Sequence, residues 1–282
     1  MEDVISIREL KKGYGNFHLN LSFDIKAGYI TGFIGSNGSG KTTTIKLIMN
    51  LIKKNGGNIE VFGKDNIEFE KQIKEQIGFV YDEPAFYDNI MLKDMTKLYK
   101  PFYKDWDDEI YKKFVCDFEL DENKKIKELS KGTRMKYSIA LALSHHPKLV
   151  IMDEPTAGLD PVFRRHILDI LQDFVAKEET SIFFSTHITS DLERVADYIT
   201  FINEGKLIFS GEKDKMFEDY VLVKGDVECL TNETVQKFIG MKKSPHGFEA
   251  LTKKDELAKL QIPSIVTDVP TLEDIMYYHK TK

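Results

Sequence analysis

Cysteine is nearly absent: Cys116 and Cys229 stand alone in 282 residues, with no metal-ligand spacing around either. Two isolated thiols exclude a disulfide framework and a zinc ribbon, and they suit a reducing compartment. No apolar run approaches the ~18 residues needed to cross a bilayer. If the protein acts at a membrane, another chain must supply the span. The opening Met1-Glu2-Asp3 is acidic and leads straight into a strand pattern, so no signal peptide is expected. A basic surplus is also missing. The chain carries 40 Lys and Arg against 46 Asp and Glu, a net charge of −6, which argues against a nucleic-acid binder. No internal repeat, low-complexity linker or sustained heptad pattern is present. What remains is 41% hydrophobic, enough core for one large or two modest domains.

The chain is organised around Gly35–Thr43, which reads Gly-Ser-Asn-Gly-Ser-Gly-Lys-Thr-Thr. It fits the phosphate-loop pattern G-x-x-x-x-G-K-S/T, with Gly35, Gly40, Lys41 and Thr42 at the fixed places. Gly35, Gly38 and Gly40 permit dihedrals that a Cβ would forbid. The amides of Ser36, Asn37, Gly38, Ser39 and Gly40 can then form a nest around an anion. Lys41 would reach the β- and γ-phosphates, and Thr42 would offer a hydroxyl to Mg²⁺, with Thr43 beside it. The context agrees. Tyr29–Ile34 is apolar and β-prone, and Ile45–Ile52 suits a mostly buried helix whose N-terminus favours phosphate. These residues imply a nucleoside triphosphate site.

Along the chain, Phe17–Ile25 alternates apolar and polar strictly, the mark of a half-buried strand. Val4–Leu10 is its expected partner, with Lys11–Asn16 as the turn and Tyr14 exposed within it. An aromatic there is turn filler or a stacking platform for a base. Asn55–Asn58 reads as a second turn before a strand at Ile59–Phe62. Ile77–Tyr81 is an apolar strand running into Asp82-Glu83-Pro84. Residues 85–147 turn helical and aromatic-rich, and predict a helical layer with a small core of its own, divided at Pro101. Thr133–Leu143 is helical. Lys148–Met152 is an apolar strand ending in Asp153-Glu154-Pro155. Asp160 looks like an N-cap with Pro161 at the first helical position. Ser181–Phe184 is a buried strand ending at Ser185-Thr186-His187. Tyr198–Ile202 and Lys206–Phe209 read as a hairpin. In residues 212–282, only Tyr220–Lys224 as strand and Glu273–His279 as helix stand out. Alternating strands and helices imply an α/β fold with a mostly parallel sheet.

Two further stretches carry chemistry. Leu149–Glu154 delivers two carboxylates at the carboxyl end of a strand, the edge where open α/β sheets bind ligands. Asp153 would hold Mg²⁺, and Glu154 could take a proton from an attacking water. Leu129–Thr133 places Ser130 and Gly132 at a helix start, where free amides face an anion; on its own this is an ordinary helix cap.

Taken in order, these segments resemble the ATP-binding subunit of ABC transporters. The resemblance rests on Gly35–Thr43, the signature Leu129–Thr133, the Walker B strand Leu149–Glu154, the D-loop Ala157–Asp160 and the switch histidine His187, and it covers about residues 1–211. It implies a P-loop NTPase of ABC type: a mostly parallel core sheet, an N-terminal antiparallel β subdomain, a helical subdomain at 85–147 and a small C-terminal accessory region at 212–282. It also implies ATP and Mg²⁺ as ligands, Tyr14 stacking on adenine, and His187 on the γ-phosphate. Two ATP-binding subunits, identical or different, would pair head to tail. Each nucleotide would lie between one phosphate loop and the other chain's Ser130 and Gly132, with Asp160 nearby. A separate transmembrane subunit would hold the pair at the inner face of the cell membrane, and nucleic acid is not expected as a partner.

This sequence departs from the family pattern twice. Asp82 stands where a glutamine is usual, and a carboxylate there can still ligate Mg²⁺ or position water. Lys131 and Thr133 replace a glycine and a glutamine of the signature; Lys131 is expected to point to solvent. Such departures resemble the antibiotic- and peptide-export branch of Gram-positive bacteria, which makes antimicrobial or amphipathic peptides the expected cargo. The alternative is a soluble ABC-type ATPase acting on nucleic acid or ribosomes. It is disfavoured by the single phosphate loop, the lack of heptads and the acidic balance. His18, His145, His146, His166, His246 and His279 are expected to be structural.

Overall fold

The computed structural model describes residues 2–259 and 264–280, so Met1 lies outside the described residues. Among the described residues ten strands share one sheet. They are β1 (Asp3–Tyr14), β2 (Phe17–Lys26), β3 (Ile30–Ile34), β4 (Gly56–Val61) and β5 (Lys64–Asp65). β6 (Ile77–Val80), β7 (Leu149–Asp153), β8 (Ser181–Ser185), β9 (Tyr198–Asn203) and β10 (Lys206–Glu212) complete it. Their order across the sheet is β5-β4-β1-β2-β10-β9-β3-β8-β7-β6. From β9 to β6 every pairing is parallel. β3, β7 and β8 are buried along their whole length, as parallel strands covered on both faces must be.

The expected antiparallel subdomain is the other half of this same sheet. β1 pairs antiparallel with β2 and β4, and β10 joins the halves by pairing with β9 and meeting β2 at Lys206↔Asn20. Two expected turns are corrected. β1 continues to Tyr14, which pairs with Phe17, so the turn is only Gly15-Asn16. Asn55–Asn58 is not a turn either, because β4 begins at Gly56. Gly57 has φ +81° opposite Glu9, at a break in register where a Cβ would strike the Glu9 carbonyl. Glycine serves a bulge as readily as a turn, which is why the cluster misleads.

Alternation along the buried strands sorts the core. Leu149 and Ile151 face the phosphate-loop helix (Lys41–Ile48) and the antiparallel strands. Val150 and Met152 face the helical layer. That layer comprises Leu92–Tyr99, Asp108–Asp117 and Lys131–Leu143, with Pro101 in a short 3₁₀ turn between the first two. Its aromatics do not form a separate small core: Tyr111, Phe114 and Phe118 are continuous with the sheet's cluster. The signature helix begins at Lys131 rather than Thr133, with Ser130 as its cap.

After β10, a second antiparallel sheet runs β12-β13-β11-β14: β11 (Tyr220–Gly225), β12 (Gly240–Ser244), β13 (Gly247–Lys253) and β14 (Val266–Asp268). Only β11 was expected. The helix Leu272–Lys280 then returns to the main body. Leu272, Ile275 and Tyr278 join the large core, and the Leu272 amide donates to Glu193 Oε1 at 2.8 Å.

Candidate functional site

β3 ends at Ile34 and the chain turns through Gly35–Gly40 into the helix Lys41–Ile48. Gly38 and Gly40 have φ of +79° and +110°, which a side chain would strain. Gly40 also lies under the β1–β2 hairpin, where a Cβ would come within 2.9 Å of Leu19 and 3.0 Å of Phe17. The loop is braced from below. Gly205 N donates to Ser39 O at 2.9 Å, and Ser39 N to Ser36 O at 3.0 Å. Ser36 Oγ donates to Asn203 Oδ1 at 3.4 Å. Asn37 is exposed, and Thr42 and Thr43 are half-buried at the helix start. Lys41 is buried and donates to Gly35 O at 2.8 Å. Burial pushes the Lys41 ammonium below its usual range, opposed by the charges of Glu154 and Asp153.

β7 delivers the carboxylates. Asp153, 1% exposed, accepts from Ser185 Oγ at 2.5 Å. Its Oδ2 has no hydrogen-bond partner among the described residues. Burial raises its pKa, opposed by the hydroxyls of Ser185 and Thr42. An orphaned, buried carboxylate oxygen beside a threonine hydroxyl fits a divalent cation that takes its remaining ligands from phosphates and water. Among the described residues no three His, Cys, Asp or Glu side chains gather as a protein-only metal cage.

Glu154 has φ +51°, a left-handed turn that separates its side chain from that of Asp153. Its amide donates to Ser185 O at 3.0 Å. Its carboxylate draws three motifs together. Oε2 pairs with His187 Nδ1 at 2.7 Å and accepts the His187 amide at 3.2 Å, while Oε1 lies 3.7 Å from Lys41 Nζ.

Ser130 caps the signature helix, accepting the Thr133 amide at 3.1 Å. Gly132 faces the D-loop, with Leu159 and Gly158 O within 4 Å of where its Cβ would be. Asp160 Oδ1 caps the helix Pro161–Glu178 through the amides of Val162 and Phe163. Lys131 is exposed, as expected, and its Nζ also donates to Asp82 Oδ1 at 2.9 Å. Both departures from the family pattern therefore meet in one ion pair. Tyr14 is 49% exposed at the end of β1, with Lys12 Nζ 4.8 Å from its ring centre.

Sequence reasoning missed two contributions to the site, the role of Asp191 and the place of the expected C-terminal helix. Asp191, 3% exposed, accepts from Thr156 Oγ1 at 2.7 Å and Arg164 Nε at 2.6 Å, locking the D-loop approach to the helix after His187. A buried acid at a helix start was the only hint. The helix Leu272–Lys280 lines a cleft of about 530 Å³ with Gly35–Asn37 and His187–Ser190, through Glu273, Met276, Tyr277 and Lys280.

The ABC transporter family model matches residues 19–157. The bacitracin transport ATP-binding protein BcrA of Bacillus licheniformis is 35% identical, over 74% of this chain and 69% of that protein. The lantibiotic transport ATP-binding protein SrtF of Streptococcus pyogenes is 34% identical, over 75% of this chain and 92% of that protein. Among solved structures, an ATP-binding subunit of an ABC transporter superposes with a TM-score of 0.69 at 27% identity, over 76% of this chain and 91% of that chain. A dimeric ATP-binding cassette bound to ADP and Pi, at 21% identity and TM-score 0.65, shows the same fold over 74% of this chain and 98% of that chain. These relatives are transport proteins, which agrees with the transport reading and not with the nucleic-acid one. On the shared phosphate loop, carboxylate strand and fold, and on relatives matched over more than two thirds of their length, the chain belongs to the ABC transporter family as its ATP-binding, ATP-hydrolysing subunit.

Proposed function

We propose that this chain drives a separate transmembrane subunit by pairing with a second ATP-binding subunit around Mg-ATP. The observation that carries the mechanism is the Glu154 carboxylate held between Lys41 and His187, residues brought together from three separate loops. When ATP occupies the loop, Lys41 turns from Gly35 O and Glu154 to the phosphates, a stronger partner for a buried ammonium. Glu154 is then free to accept the proton of the attacking water, with His187 holding that water and the γ-phosphate in line. Thr42 and Asp153 would hold Mg²⁺, joined by Asp82 when it leaves Lys131. Bound there, the cation neutralises charge on the phosphates. Tyr14 stacks on the adenine, and Ser130 and Gly132, with the D-loop at Asp160, close over the second subunit's nucleotide.

The working unit is residues 1–211, with 85–147 as its inserted helical layer. Residues 212–282 form an accessory unit. Among the described residues no helix is long and apolar enough to cross a membrane; in this reading a separate chain supplies the span. The segment Asp82–Asn89, with Tyr87 68% exposed, is the docking surface for that partner. The chain would thus sit on the cytoplasmic face. BcrA and SrtF point to export of antimicrobial or amphipathic peptides. Glu154→Gln tests the mechanism: it should bind ATP, lose turnover by at least about 100-fold and accumulate as an ATP-bound dimer on sizing. Near-wild-type turnover would remove Glu154 as the base. Co-expression with its transmembrane partner should raise resistance to a bacitracin- or lantibiotic-type peptide, and unchanged sensitivity would reject that cargo.

A further inference from the structure

Asp82 sits between two functional regions. Toward one side its negative charge adds, after burial and Glu154, to the influences that raise the pKa of Asp153, the carboxylate proposed to hold the metal. Toward the other its Oδ1 holds Lys131 Nζ at 2.9 Å, on the loop that carries Ser130 and Gly132. The pair is exposed, 39% and 56% at the two side chains. Exposed pairs are weak and are exchanged readily for a stronger partner. A divalent cation is such a partner for a carboxylate. A second contact, Arg134 to Asp88 at 3.6 Å, runs between the same two segments, so the arrangement does not rest on one flexible lysine.

We propose that Lys131 is a positioning residue that occupies Asp82 until Mg²⁺ arrives with ATP, so that the cation and the lysine compete for one carboxylate. The proposal rests on the nucleotide site described above and deepens it. Without nucleotide, Lys131 neutralises a carboxylate that would otherwise repel the incoming phosphates. With Mg-ATP bound, Asp82 turns to the cation and the ammonium is released on the signature loop. In a head-to-tail pair that loop faces the other nucleotide. Metal binding at one site then adds a positive charge at the second. Each departure from the family pattern compensates the other: a lone carboxylate beside the phosphates would weaken ATP binding, and a lone lysine would have no partner before pairing.

The test is binding of a fluorescent ATP analogue to the purified full chain, with saturating Mg²⁺ and with EDTA. The quantity read is the ratio of the two affinities. Lys131→Gly leaves Asp82 uncompensated, so the metal-free complex weakens while the metal complex does not. The ratio should rise about three- to tenfold, the size expected of one unscreened charge near a partly exposed site. Lys131→Arg should keep the wild-type ratio. In an Asp82→Gln background, Lys131→Gly should change nothing further. A lysine that merely stabilised the fold would weaken both affinities together and would do so in either background. An unchanged ratio in Lys131→Gly and Lys131→Gln, or a rise that persists with Asp82→Gln, overturns the proposal. Analogue binding unaffected by Lys41→Ala would overturn the phosphate-loop reading and this proposal with it. Loss of binding in Lys41→Ala with no Lys131 effect overturns this proposal alone.

Discussion

His145 offers a pH-dependent test of how the helical layer is joined to the ATP-binding core. It is 2% exposed, stacks on Tyr103 with ring centres 3.9 Å apart, and neither ring nitrogen has a hydrogen-bond partner among the described residues. Burial brings its pKa down from 6.5 to about 4; its own backbone carbonyl opposes by favouring the protonated ring, His146 pushes the same way as burial, and Asp105 opposes. The neighbouring backbone carries the joint itself, with Asp107 N donating to Ser144 O at 2.7 Å. The unfolded chain therefore binds a proton that the fold refuses. Stability from this residue is complete above pH 6.5 and is lost as pH falls toward 4. The whole drop corresponds to about 3 kcal/mol, of which about 2 kcal/mol is gone at pH 5. For a chain of this size that is about 3–5 °C in Tm. His145→Phe keeps the stack and removes the titration. Calorimetry of both proteins from pH 7.5 to 5 should show the wild type losing those extra degrees. Parallel curves would mean that His145 is hydrated or partnered in solution, and the argument from burial would fail.

Other substitutions probe the site and its supports. Lys41→Ala should lower ATP affinity about 10- to 100-fold, the loss of a charge-assisted contact, measured by calorimetric titration; retained affinity would count against the loop. Ser130→Arg should leave ATP binding by the monomer intact yet abolish ATP-driven pairing on sizing, because the new side chain fills the surface that closes on the partner's nucleotide. Asp191→Ala strands Arg164 and frees Thr156, so it should cost about 3 kcal/mol and roughly 5–7 °C in Tm. A change under 1 °C would show that the pair is not holding the D-loop.

Much of the site was legible because its chemistry is local. A phosphate loop needs glycines, a lysine and a hydroxyl within one turn of chain, so Gly35–Thr43 announces itself. The two carboxylates of Asp153-Glu154 follow an apolar strand for the same reason. The second sheet was mostly invisible: β12 carries Lys242 and Lys243 with only Gly240 fully buried, so little alternation marks it. The extension of β1 to Tyr14 was hidden by Gly13, which tolerates a strand but reads as a turn.

Sequence alone determined the class of the protein and singled out the residues proposed to grip a triphosphate, since both depend on spacing along a few neighbouring positions. Only the folded chain decided which distant charges meet. Lys131 lies 49 residues from Asp82, and Thr156 and Arg164 lie 35 and 27 residues from Asp191. An ion pair across such separations is set by where helices land on the sheet, and no pattern along the chain records that.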